Sequence, residues 1–310
     1  MLHLKRGINI GDHFEDESVH DAVFKNPMQD WYYPLIRQLN FDHIRLPVRW
    51  SVHCDDANGH RIDSDYMDMV AETVDKFLDM GLSVILNVHH FRECAEFPDK
   101  PENTEKLYAL WDQIAHRFRD YPEQLVFELM NEPIWNVEAP VWNRVQTGLV
   151  NRLRQIQPDR WLMIGGVNYN GVERLADLEV PANDPHLIGT FHYYLPMEFT
   201  HQGAPWTTQY VGLHDIRWTG TPDEMRFMNA NLDLAKAWSD KYGLPVHLGE
   251  FGVLHTAQME DRAHWTRAVR TGCESRGISW SYWELNRNFG ISEPDRPALR
   301  QPLVDALLKD

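Results

Sequence analysis

Short, almost wholly apolar runs recur along the chain, and between them apolar residues repeat at helical spacing. The runs are Gly7–Ile10, His43–Pro47, Leu82–His89, Leu125–Met130, Trp161–Gly165, Leu187–Tyr193, Val246–Glu250 and Ile278–Trp283. Ser83-Val84-Ile85-Leu86-Asn87-Val88 hardly alternates, as expected of a strand covered on both faces. After the second run, Met67, Val70, Val74, Phe77 and Leu78 share a helical face, with Ser64 as the candidate cap and Gly81 as the stop. Leu107, Leu110, Trp111, Ile114 and Phe118 form the next stripe, ahead of Pro122. Trp142, Val145, Leu149, Leu153 and Ile156 follow Pro140, which suits the first helical position. Thr221-Pro222-Asp223-Glu224 combines a capping box with proline at the helix start, and Gly243 closes that helix. Gly277 closes another, and the least regular segment is Val172–Leu178. Eight strands alternating with helices predict an α/β fold, a (β/α)8 TIM barrel forming one domain over residues 1–310. No GxGxxG or GxxxxGK[ST] pattern follows a strand, which removes the usual dinucleotide and P-loop readings.

Composition narrows the partners. A net charge of −16 repels phosphate backbones, so nucleic acid is not expected as a partner. No apolar run reaches the ~18 residues needed to cross a bilayer, so no membrane partner is expected either. The three cysteines, Cys54, Cys94 and Cys273, are odd in number and lack a CxxC pair, which predicts free thiols rather than a disulfide framework or zinc site. Met1–Ile10 lacks the features of a secretory signal, leaving an intracellular location or a leader outside this sequence. Twelve tryptophans exceed ordinary usage. They serve as packing anchors or as platforms on which sugar faces stack.

In a barrel the reactive groups stand at the C-terminal ends of the strands. Strand two carries Arg45, strand three ends in His89-His90, and strand four ends in Asn131-Glu132-Pro133. Strand six ends in His192-Tyr193-Tyr194, strand seven in Glu250 and strand eight in Trp283-Glu284. Two carboxylates on opposite sides of one mouth are what glycoside cleavage needs, one as acid and one as nucleophile or base. Arg45 and Tyr194 are placed to keep Glu250 ionised, and the charge of Glu250 is expected to raise the pKa of Glu132. Each residue has a plainer reading. Arg45 can be a structural ion-pair partner, His192 a core histidine, His89-His90 a metal pair, and the two glutamates stability carboxylates. Several carboxylates gathered at one mouth favour the catalytic reading, because a buried carboxylate without a partner is costly. Adjacent strand residues face opposite ways and no further ligand set has metal spacing, so neither metal nor cofactor is expected. Glu284 and Glu128 are decoys, Glu128 lying deeper in the barrel with a structural role. Trp50, Trp135 and Phe289 stay unassigned.

The pattern resembles glycoside hydrolase family 5, the cellulase family of the retaining barrel clan, over essentially the whole chain. The resemblance rests on Phe127-Glu128-Leu129-Met130-Asn131-Glu132-Pro133 and Leu248-Gly249-Glu250-Phe251-Gly252. It implies Glu132 as acid/base and Glu250 as nucleophile, supported by Arg45, His89, Asn131, His192, Tyr194 and Trp283. Asn131 would bond the sugar 2-OH, and Trp283 would form the platform of the −1 subsite. A closer similarity is to the bacterial branch acting on both cellulose and mannan. It is carried by Arg6-Gly7-Ile8-Asn9-Ile10-Gly11, Trp50-Ser51, Leu110-Trp111-Asp112-Gln113-Ile114-Ala115 and Glu198–Ala204 with Trp206. That similarity implies substrate contacts at His90, His201 and Trp206. Those relatives usually carry Asn where this chain has Asp12, which alters the minus subsites, and Glu15 is expected to reach the same region. The implied substrate is a β-linked polysaccharide, with soluble β-1,4-glucan first and endo-mannanase action as the alternative. A non-catalytic sugar-binding barrel and a metal-dependent barrel hydrolase are the rivals from other classes.

Overall fold

The eight apolar runs become eight parallel strands closed into a barrel. In the computed structural model, which describes residues 2, 4–15, 28–134, 136–294 and 296–309, these are β1 (Arg6–Asn9), β2 (His43–Leu46), β3 (Ser83–Asn87), β4 (Leu125–Glu128), β5 (Leu162–Gly165), β6 (Leu187–His192), β7 (Val246–Glu250) and β8 (Ser279–Tyr282). Each pairs in parallel with its sequence neighbours, and β1 closes on β8 through Arg6↔Trp280, Gly7↔Ser281 and Ile8↔Tyr282. The runs exceed the strands by a residue or two at most ends, because polar mouth residues follow directly on apolar ones. Trp135 lies outside the described residues.

The outer layer is α1 (Tyr32–Leu39), α2 (Ser64–Asp79), α3 (Pro101–Arg117), α4 (Ala139–Ile156), α5 (Pro222–Tyr242), α6 (Met259–Glu274) and α7 (Gln301–Leu308). Their apolar stripes bury against the outward faces of the strands in one large core. Three local expectations need correction. Asp63 rather than Ser64 caps α2, its carboxylate accepting the N–H of Tyr66, while Ser64 is the first helical residue. Pro140 follows Ala139 and so stands one residue inside the start of α4. Val172–Asp177 winds as a 3₁₀ helix, so the fifth crossover has no α-helix at that point. The capping box at Thr221 and the left-handed glycine at Gly243 (φ 65°) stand as expected. The periodicity reading did not name α1 or α7.

Inside the barrel lies a second, separate apolar cluster of Ile85, Val126, Met163 and Ile188, with Leu2, Leu4 and Trp161 packed on it. Across from it the interior is polar, built on histidine and serine. The His43 ring bonds Ser281 Oγ (2.9 Å), which also meets His247 Nε2 (3.0 Å). Gly7 makes room for that ring, since a Cβ there would come within 2.2 Å of His43 Nε2. All three cysteines are free, with Cys94 and Cys273 buried. No helix among the described residues is long and apolar enough to cross a membrane.

Candidate active site at the barrel mouth

Arg45 is the hub. Its position on β2 places it inside the barrel, fully buried, where a guanidinium must find partners. Nε and Nη2 form a two-pronged pair with Glu128 of β4 (2.6 and 2.8 Å). Nη1 donates to Asn9 Oδ1 (2.9 Å) and to Glu250 Oε1 (2.7 Å), and Nη2 also reaches Asn131 Oδ1 (2.7 Å). The plain reading of Arg45 as an ion-pair residue holds, and the same guanidinium also meets Glu250. Glu128 is deep and structural as expected, yet it also holds the group that holds Glu250. The polarity of Asn9 and Glu128 within otherwise apolar strands was the available signal for both.

A bulge aims Glu250. The β6–β7 register runs Phe191↔Leu248 and then His192↔Glu250, so Gly249 is an extra residue. In a regular strand Glu250 would face the same way as Leu248, out toward the helices; the bulge turns it into the mouth. Gly249 suits the position because a Cβ there would press on His192 Nε2 and Thr190 Oγ1 at 3.1 Å. Tyr194 completes the set, its hydroxyl donating to Glu250 Oε2 (2.9 Å).

Glu132 and Glu250 face each other across His192. His192 Nδ1 lies 2.7 Å from Glu132 Oε1 and 3.7 Å from Glu250 Oε2. One donor atom from each of the three residues lies within 4.8 Å of the others. The Arg45 guanidinium already supplies a cation to Glu250. Burial pushes Glu250 up, but the charges of His192 and Arg45 and the bonds from Tyr194 and Arg45 outweigh it and hold the carboxyl below its ordinary range. Glu132 is raised, and here burial is the largest cause. The charge of Glu250 adds to the rise, while His192 pulls the other way. The expected lift from the charge of Glu250 is present, and desolvation, which the expectation left out, is the larger cause. Burial lowers His192, but Glu250's charge and the bond and charge of Glu132 raise it on balance. Burial and the charges of both glutamates push Tyr194 far up, so it stays a hydrogen-bond donor.

The remaining expected residues divide. Trp283 stacks on His89 (centroids 5.8 Å, interplanar 10°), and His89 is held neutral by burial and by the charges of His90 and Arg45. His90 packs edge-on against His89 (4.4 Å) from a left-handed backbone (φ 47°). His201 is buried beside Tyr194 and Phe289, its Nδ1 on Thr200 Oγ1 (2.9 Å), and burial drives its pKa down to about 4. Trp206 stands beside His201 with 54% of its surface exposed, open to a ligand. Asp12 is half-buried, at φ 57° on the loop after β1. Glu15 departs from expectation. It is buried, and its two oxygens accept the backbone N–H groups of Asp12 (2.5 Å) and His13 (3.2 Å), so it braces the loop instead of presenting a substrate contact. Glu284 is also buried, its carboxyl pushed well up by burial and then by Asp12 and Glu15. The residues that sequence reasoning missed are Asn9 and the exposed Tyr169, on the loop after β5.

Comparison with known proteins places this geometry. The family model for cellulase (glycosyl hydrolase family 5) matches residues 14–289. Endoglucanase H of Acetivibrio thermocellus is 32% identical over 289 residues, covering 93% of this chain; the chain spans about 30% of that relative's length. The crystal structure of the cellulose synthase subunit Z (CcsZ) from Clostridioides difficile superposes with a TM-score of 0.93 at 34% identity, covering 99% of this chain and 100% of that one. Thermotoga maritima Cel5A, solved in complex with cellobiose and with mannotriose, superposes with a TM-score of 0.91 at 34% identity in both, covering 98% of this chain and 97% of that one.

Proposed function

The chain belongs to the cellulase family, glycosyl hydrolase family 5, and we propose that it works as one catalytic domain that cuts β-1,4-glucan internally with retention of configuration. The observation that carries this reading is the pairing of two facing carboxyls with opposite pKa directions, one oxygen of each within 4.8 Å of the other. Carboxyl groups ~5–5.5 Å apart suit direct attack, whereas the interposed water of inversion needs ~6.5–9.5 Å.

Glu250, kept ionised by Arg45 and Tyr194, attacks the anomeric carbon. Glu132 gives its proton to the glycosidic oxygen, and the leaving sugar departs as an alcohol. The product is a glycosyl ester on Glu250, which no longer carries charge. Glu132, relieved of that charge, then takes a proton from the water that attacks the same carbon. His192 holds Glu132 in place through both steps, and the Asn131 amide, its oxygen fixed by Arg45, is presented to the sugar. Trp283, backed by the neutral ring of His89, forms the floor of the −1 subsite. Trp206, His90 and His201 lie on the rim as further substrate contacts, and Asp12 borders the minus subsites.

Soluble glucan is the leading substrate and mannan the second. The second reading is favoured by the mannotriose complex of the Thermotoga maritima enzyme, at 34% identity. The test is labelling with a 2-deoxy-2-fluoro-cellobioside, followed by peptide mass spectrometry. The label is expected on Glu250, and NMR of the first product is expected to give the β-anomer. A label elsewhere or an α-anomer overturns the mechanism. Parallel turnover of barley β-glucan, glucomannan and galactomannan then ranks the substrates.

A further inference from the structure

The longest helix among the described residues, α5 (Pro222–Tyr242), has two apolar sides. Its inner side buries Met228, Leu232, Ala235 and Trp238 against the barrel. A second stripe runs along its outer side. Asp223, Phe227, Ala230, Leu234, Ala237 and Lys241 follow one another in steps of four and three residues, and all six are exposed. Such steps keep residues on one seam of a helix, the repeat by which two helices pack together. Phe227 keeps 52% of its surface open and Leu234 44%. Exposed apolar side chains scattered singly need no explanation. These two share a seam, with Ala230 between them and Ala237 beyond.

The stripe is symmetric in position and opposite in character. Asp223 and Lys241 stand nine residues either side of Leu232, Phe227 and Ala237 five, and Ala230 and Leu234 two. Laid antiparallel on a copy of itself about that midpoint, the stripe sets Phe227 on Ala237, Leu234 on Ala230 and Asp223 on Lys241, each twice. Large meets small, and acid meets base. A parallel copy would set Asp223 on Asp223 and Phe227 on Phe227. Flanking charges are met inside the chain, where Asp233 pairs with Arg276 (2.8 Å) and Asp240 with Lys236. Asp223 pairs with Arg226 of its own helix and still has 84% of its side chain exposed. Lys241 lies over the ring of Tyr242 (4.6 Å). The acid end also offers a seat for a lysine. Beside Phe227 a cleft of about 280 Å³ is walled by Leu195, Trp218 and Met228 and edged by Asp223 and Glu224. An apolar trough with carboxylates at its lip suits an aliphatic stem that ends in an ammonium.

We propose that α5 is a dimer interface, pairing antiparallel with α5 of a second copy of this chain, with Lys241 of each copy seated in the cleft of the other. The two alanines let the helices approach closely, and Phe227 and Leu234 fill the space opposite them. Specific interfaces begin near ~1,200 Å² of buried surface, and one helix pair belongs at that small end, so the association is weak and reversible. The helices of a barrel run against the strands they cover, so an antiparallel pair points the two mouths in opposite directions and leaves both open. The pairing does not depend on the catalytic roles of Glu132 and Glu250.

Sedimentation velocity over a range of protein concentrations tests it. For wild type the weight-average mass is expected to climb from that of one chain toward that of two as concentration rises. Leu234→Glu, a change on the exposed seam, is expected to stay monomeric across the range. The charged ends read the register. Asp223→Lys and Lys241→Glu each set like charges opposite one another twice in a dimer, so each alone should raise the dissociation constant at least about tenfold. Mixed together, these two single variants should recover wild-type affinity, because one copy then offers only bases and the other only acids. Asp223 and Lys241 of one chain lie roughly 27 Å apart along the helix, so only contact between copies can give that recovery. Circular dichroism checks that each variant is folded. A wild type that stays monomeric at the highest concentration, a dimer that survives Leu234→Glu, or a mixture no tighter than its components would each overturn the interface.

Discussion

Two layers of the barrel interior are equally buried and differently built. Near the mouth, Arg45 joins Glu128, Glu250, Asn9 and Asn131 in a network of charges. Below it, one side is the apolar quartet Ile85, Val126, Met163 and Ile188, and the other is the hydrogen-bonded contact of His43, Ser281 and His247. Buried charges are a poor way to gain stability, since apolar replacements of similar volume often do as well or better. The deep layer follows that rule. The mouth layer breaks it, and it is the layer that the proposed mechanism uses. The difference separates residues that keep the barrel closed from residues that hold the Glu250 carboxyl below its ordinary range.

The comparison fails if mouth substitutions behave like deep ones. The largest effect is expected for Glu250→Gln, with kcat on glucan falling by on the order of 10⁴-fold or more while the protein stays folded by circular dichroism. Arg45→Lys comes next. It keeps the charge but loses the fork that grips Glu128 and reaches Asn131, and kcat/KM should fall by roughly 10²-fold. Retention of wild-type rates by Arg45→Lys would mean that charge alone is enough at this position. Ile85→Ala, one layer down, should lose about 2–5 kcal/mol of unfolding free energy in urea melts, with kcat per folded molecule unchanged. A kcat loss there would show the deep layer to be coupled to chemistry.

Most of the architecture was legible because a parallel barrel writes each strand as a short apolar run. The polar residues that meet at the mouth, Arg45, Asn131, Glu132, His192, Tyr194 and Glu250, were legible because they stand on those runs or directly after them. What escaped was geometry with no periodic signature. The bulge at Gly249, which turns Glu250 inward, depends on the pairing of β7 with β6 and not on β7 alone. Glu15 looked like a mouth residue by position, but its carboxylate is spent on the amides of its own loop. Val172–Asp177 is too short and too tightly wound to carry a 3.6-residue repeat. Tyr169 sits between two asparagines in a stretch that reads as an ordinary turn, and only the backbone angles set its ring apart.

The smallest expected effect is also the most discriminating, because it is a direction and not a loss. His192 lowers the pKa of Glu250 by its charge and that of Glu132 by both a hydrogen bond and its charge. Activity needs Glu250 ionised and Glu132 protonated, so it is lost as pH falls through the first pKa and as pH rises through the second. In His192→Gln an uncharged donor remains beside Glu132, and the charge is gone. Both pKa values then rise. The acid limb of the kcat/KM profile should move to higher pH, and the basic limb should move the same way. Arg45→Lys keeps its charge and loses only the smaller hydrogen-bond share, so its acid limb should move less than that of His192→Gln even though its rate is lower. A His192→Gln profile that narrows, or that moves toward acid, would mean that His192 is neutral in the free enzyme. The positive charge holding Glu250 ionised would then come from Arg45 alone.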